Sequence, residues 1–130
     1  MTPALALDLG TRRTGLALNP VGSVVIELST VHYRTVDDFR VVFEAILAEH
    51  QPAVLILGAS RNSAEPSSTL RHVLETLPGC PPMIEVDEQV TTKEAERQLA
   101  ALGNRPGDSD ARAARLILEQ YLAEERKTNS

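Results

Sequence analysis

The architecture of the chain turns on residues 4–18, ALALDLGTRRTGLAL. Leu5, Leu7 and Leu9 alternate with Ala4, Ala6 and Asp8. Such period-two alternation marks a strand. One of its faces is bulky; the other is small and ends in a carboxylate. The turn GTRRT leads into a second strand, Gly15 to Leu18. Gly10 lets the chain turn tightly, and Gly15 lets the second strand begin close by. A buried carboxylate is costly unless it is paired, neutralised or bound to metal. Asp8 therefore either makes a side-chain turn ahead of Gly10 or serves a site.

Beyond the turn signal NPVG, SVVIELST (23–30) reads as a third strand, and the short connections favour an antiparallel meander. Thr35, with Asp38 three residues on, caps a helix whose apolar face is Phe39, Val42, Phe43, Ile46 and Leu47. VLIL (54–57), stopped by Gly58, is a short continuous apolar run, the pattern of a parallel strand covered on both faces. ASRNSAEPSS reads as a loop, residues 67–77 as a helix and PPMIEVDE as a fifth strand. Thr91 and Glu94 form a capping box for a helix that presents Ala95, Leu99 and Leu102 and stops at Gly103. A last helix runs from about Ser109 to Glu125. The expected fold is α/β: a mixed five-stranded sheet, three strands antiparallel and then two parallel, with helices packed on it.

With 130 residues, 42% hydrophobic and 24% charged, the chain suits one soluble domain, 1–130. Aromatics are only 3%, which argues against base-stacking platforms. The net charge of -5 means that any nucleic-acid contact needs a local basic patch. The single cysteine, Cys80, cannot form an internal disulfide and suits packing in a reducing compartment. No apolar run is long enough to span a membrane, and no signal segment is evident, so a cytoplasmic protein with no membrane partner is expected.

Two further acidic positions accompany Asp8. Asp87 and Glu88 stand where the fifth strand ends; neighbours on a strand point oppositely, so only one of them faces a given site. The plain alternative is a pair of solvated acids near a helix N-terminus. Asp110 begins the last helix on one stripe with Ala113, Ala114, Ile117 and Tyr121, whereas Asp108 lies off that stripe. Oxygen donors of this kind suit Mg²⁺ or Mn²⁺. The histidines His32, His50 and His72 are scattered, and no Cys/His cluster suggests zinc.

Taken together, LDLGTRRTGLAL, VDEQVTTKEAERQL and DARAARLILEQYL resemble the YqgF/RuvX family, whose fold is RNase H-like. The resemblance covers nearly the whole chain. It implies a metal-dependent nuclease with its acidic site at Asp8, Glu88 and Asp110, and with Asp87 as the alternative ligand. It also implies Mg²⁺ or Mn²⁺ as cofactor and water activation without a histidine base. The implied partner is nucleic acid, either precursor 16S rRNA processed at its 5′ end or branched DNA of the Holliday-junction kind. The chain departs from the family pattern at Gln89 and Val90, in GDSD before the last acid, and in LGASRNSAEPSS, where Ser60 replaces a proline. These departures bear on the substrate loop more than on the acids.

Arg12, Arg13, Arg61, Lys93 and Arg112 are the expected nucleic-acid contacts, with Arg105 flanking them; Arg97 and Arg115 read as solvated helix charges. A homodimer is left open. Two rival readings stand beside the nuclease. DLGTRRTG resembles the first phosphate-binding turn of actin- and hexokinase-like ATPases, but those enclose a nucleotide between two domains and no second Asp-x-Gly-Thr run occurs. The other rival is a non-catalytic nucleic-acid-binding module, against which the three acids argue, since a pure binder gains nothing from carboxylates near phosphates.

Overall fold

A computed structural model describes residues 2–10, 12–59, 64–87 and 109–129. In chain order it has β1 (Ala4–Leu9), β2 (Arg13–Asn19), β3 (Ile26–His32), α1 (Val36–His50), β4 (Val54–Ala59), α2 (Ala64–Thr76), β5 (Met83–Asp87) and α3 (Ser109–Asn129). The strands form one sheet in the order β3-β2-β1-β4-β5. β1, β2 and β3 pair antiparallel, and β4 pairs parallel with both β1 and β5. The mixed five-stranded sheet read from the sequence is thus the observed one. The helix expected over 91–103 lies outside the described residues.

Pleating divides the core in two. Leu5, Leu7, Leu16, Leu55 and Leu57 face α1 and α2, where Phe39, Phe43, Leu70 and Leu74 meet them. Ala4, Ala6, Ala17, Val54 and Ile56 face α3. The small residues on this second face let the α3 backbone come close. α3 buries Ala111, Ala114, Ile117, Leu118, Tyr121 and Leu122, while Ala113 is only half-buried, so its packed stripe is rotated slightly from the expected one. α1 starts as expected: Thr35 Oγ1 accepts the Asp38 N–H at 3.0 Å, and the Asp38 carboxylate accepts the Arg34 N–H at 3.2 Å. Gln51, at φ 46°, closes its end by donating its N–H to Leu47 at 2.9 Å.

Two boundaries and one strand register differ from the sequence reading. β3 begins at Ile26 rather than residue 23, because the buried Asn19 amide donates to the Gly22 and Val24 carbonyls at 3.0 and 2.7 Å and holds the connection as a loop. β3 also carries an irregularity, pairing Val31 with Thr14 but Leu28 with Leu16. One extra residue there lets Leu28 and Val31, three apart, pack against the same core. α2 begins at Ala64 rather than 67, inside the stretch read as loop. Pro66 then falls in the first helical turn, where a missing N–H costs no intrahelical bond.

Candidate nucleic-acid-processing site

Asp8 lies near the C-terminal end of the central strand, paired in register with Gly15 on β2. On the other side Leu7 pairs with Leu57, so continuing that register by one residue brings Gly58 alongside Asp8. The half-buried carboxylate is therefore flanked across both neighbouring strands by residues without side chains.

Alternation assigns the face. Asp8 has the parity of Ala4 and Ala6, so it belongs to the α3 side. Along β5, Ile84 and Val86 share that side. Asp87, paired with Ala59, takes the register position of the opposite face, with Leu55 and Leu57. Asp110 occupies the second position of α3, the helix packed on the Asp8 face. Glu88, Arg61, Lys93, Arg97 and Arg105 lie outside the described residues. Among the described residues no three His, Cys, Asp or Glu side chains converge on a metal-sized site.

The turn after Asp8 is closely determined. A Cβ on Gly10 would lie 2.6 Å from the Arg13 carbonyl oxygen, so the backbone of the turn would have to shift to admit it. Tyr33, just past β3, is buried and secures the same turn from the other side. Its hydroxyl donates to the Gly10 carbonyl and pairs with Thr14 Oγ1 at 2.7 Å, while its backbone N–H donates to the Arg12 carbonyl at 3.0 Å. Its ring meets Phe39 edge-on, with centroids 4.9 Å apart. Neither Tyr33 nor Thr14 stands out in the sequence; the available signal is a scarce aromatic at a strand end, between His32 and Arg34.

Arg12 and Arg13 are both exposed, but the register separates them. Arg13 has the parity of Gly15 and Ala17, so it shares the Asp8 face and pairs across to His32. Arg13 is thus the diagonal cross-strand neighbour of Asp8, a relation that sets residues roughly 7–8 Å apart, with the Cβ atoms somewhat closer. Arg12 lies on the other side of the turn, towards α1. Arg112 is half-buried, and its Nε has no hydrogen-bond partner among the described residues. Arg115 is held by Glu27 of β3 at 2.8 Å and by Glu119 at 3.5 Å. The hydrogen bond to Glu27 chiefly raises its pKa, against a smaller opposing effect of burial.

The histidines are dispersed, with His32 at the end of β3, His50 at the end of α1 and His72 exposed on α2. Cys80 is half-buried against the α1/α2 core; burial, and then the Glu75 charge, push its thiol pKa up, as befits a packing residue. No helix among the described residues is long and apolar enough to cross a membrane.

The RuvX family, described as Holliday junction resolvase, matches residues 2–124. A Synechococcus sp. protein named "Putative pre-16S rRNA nuclease" is 33% identical over 135 residues, covering 95% of this chain and 91% of its own. An Albidiferax ferrireducens protein of the same name is 37% identical over 133 residues, covering 91% of this chain and 76% of its own. Among solved structures, Thermus thermophilus RuvC bound to a Holliday junction superposes with a TM-score of 0.60 at 14% identity, covering 95% of this chain and 96% of its own. The fowlpox virus resolvase in complex with junction DNA gives 0.63 at 11% identity, covering 93% of this chain and 99% of its own. At these identities the structural likeness establishes the RNase H-like fold alone.

Proposed function

Because the chain belongs to the RuvX family of nucleic-acid hydrolases, we propose that it is a divalent-metal-dependent nuclease that trims the 5′ end of precursor 16S rRNA. The observation that carries the reading is Asp8, a half-buried carboxylate at the mouth of the central strand with glycine on either side.

Asp8, Glu88 and Asp110 are the proposed metal ligands. Asp87 takes the parity of the face opposite Asp8, so it stays the alternative ligand. The donors are carboxylates without sulfur or imidazole, the set that suits Mg²⁺ or Mn²⁺. When bound, the metal supplies Lewis acidity towards the attacking water and the leaving oxygen. The chain's own part is positioning. Asp8 is fixed by the sheet; Gly15 and Gly58 leave room for a phosphodiester beside it; Arg13, on the same face, orients a non-bridging phosphate oxygen. Arg112, whose Nε has no hydrogen-bond partner among the described residues, is a second candidate for phosphate near the start of α3. Glu88, Arg61 and Lys93 enter the proposal from the family resemblance.

The test is a Mn²⁺ cleavage assay on a precursor 16S rRNA fragment and on a synthetic four-way junction. Wild type is expected to cut the RNA. Asp8→Asn is expected to lose at least about a hundredfold in rate, the scale for removing one charge-stabilising group from an active site. Equal cleavage by the variant overturns the assignment of Asp8. Cleavage of the junction alone replaces the rRNA role with the one in the family's description. Binding without cleavage leaves a nucleic-acid-binding module.

A further inference from the structure

We propose that the cleft between the end of β3 and α1 holds the polynucleotide segment next to the cut, with Arg12 and Arg34 on its phosphates; this deepens the nuclease reading and rests on it. The cleft has a volume of about 570 Å³. Arg12 and Arg34 form its described cationic rim, and Tyr33, Val41 and Val42 its apolar wall, with His32 also lining it. The Tyr33 N–H bonded to the Arg12 carbonyl at 3.0 Å holds the two rim segments side by side.

Charge points to the occupant. The chain is net acidic, -5, and its other described arginines include two, Arg71 and Arg115, that are taken up by carboxylates. Arg12 and Arg34 are exposed, and neither guanidinium is paired with a carboxylate among the described residues. The one described acid in the cleft, Asp38, accepts the Arg34 backbone N–H at 3.2 Å as part of the α1 cap. Asp37 adds a second exposed acid to that helix turn, outside the cleft lining. The cations therefore outnumber the acid on the rim.

The apolar wall fits the same ligand. Val41 is 67% exposed, so its side chain is open to a ligand in the cleft. A polynucleotide offers alternating phosphates for the rim and ribose or base surface for the wall. Continuity with the site is direct: Arg12 and Arg13 are adjacent in one turn, Arg13 on the Asp8 face and Arg12 at the cleft. A strand crossing that turn passes from one to the other.

The test is equilibrium binding of fluorescent single strands, RNA and DNA of one sequence, to the full chain in metal-free buffer over a range of salt. Each lost phosphate contact on a single strand lowers the slope of log K against log salt by roughly 0.7. Arg34→Ala is expected to show that loss with both strands, because the contact is to phosphate. Arg40→Ala is the matched control: Arg40 is an exposed cation on α1 outside the cleft, and its loss is expected to leave the slope unchanged. Thermal melts check that both variants keep the fold. A wild-type slope in Arg34→Ala, or an equal loss in Arg40→Ala, overturns the proposal. A wild type that fails to cut RNA in Mn²⁺ while the Arg34-dependent slope persists overturns the nuclease reading and leaves the cleft assignment standing.

Discussion

The Tyr33 hydroxyl donates to the Gly10 carbonyl, so a side chain just beyond β3 closes the turn that follows Asp8. The same hydroxyl pairs with the fully buried Thr14 at 2.7 Å. Tyr33→Phe keeps the ring contact with Phe39 and removes both bonds. Leaving buried polar groups unmatched costs roughly 1–3 kcal/mol. The expected result is a lower urea midpoint together with weaker activation by Mn²⁺, because the strand end carrying Asp8 is loosened. Loss of stability with an unchanged Mn²⁺ titration would show that the bond supports the fold but not the site.

Much of this arrangement was legible because local and tertiary signals agreed. Alternating Leu and Ala in β1 separated the two core faces before any pairing was known. The Thr35 cap and the Phe39–Phe43 face of α1 follow from composition and spacing alone. Elsewhere a long-range partner decided. Leu28 and Val31 break strict alternation, and only the pairing with β2 shows that an irregularity restores it. Single-sequence reading could say that only one of Asp87 and Glu88 faces a site. Pairing with β4 adds that Asp87 lies opposite Ala59, at a register position on the Leu55–Leu57 face. Tyr33 was missed because its role is visible only once β3 returns beside β2.

Two glycine substitutions should separate the site turn from an ordinary one. At Gly10 an added Cβ lies 2.6 Å from the Arg13 backbone oxygen, so Gly10→Ala must shift the turn itself. Overpacking of this kind costs typically about 1–3 kcal/mol. Gly22 has φ +59° and open space around it, so Gly22→Ala bears only the left-handed penalty of about 1–2 kcal/mol. The two variants are expected to be similarly destabilised, with only Gly10→Ala losing cleavage beyond what its folded fraction explains. Matching specific activities per folded molecule would mean that the turn does not position Asp8.

The two kinds of arginine on the α3 side should behave differently. Arg115 bridges helix and sheet through Glu27 at 2.8 Å, with the two side chains 39% and 25% exposed. Solvent screening limits such a pair to less than about 1 kcal/mol. Arg115→Ala is expected to melt within a few degrees of wild type and to bind RNA with the same salt dependence. Arg13→Ala, which removes an exposed cation from the Asp8 face, is expected to raise KM. Weakened RNA binding in Arg115→Ala would show that Glu27 surrenders this arginine to substrate.

Alkaline stability tests the packing of α3. Tyr121 is buried on the sheet and its hydroxyl donates to the Glu125 carboxylate at 2.5 Å. Burial first, and then that carboxylate, push its pKa up to about 12. An unfolded tyrosine ionises near pH ~10, so the fold holds the neutral phenol more firmly than the unfolded chain does. Its stabilising contribution is complete below pH ~10 and is lost as pH climbs through about 12. Tyr121→Phe has no phenol to ionise at this position. Urea midpoints followed across that window should fall more steeply for wild type than for Tyr121→Phe, while ionisations elsewhere affect both chains alike. Parallel decline of the two would place the Tyr121 hydroxyl in solvent and α3 off the small-residue face of the sheet.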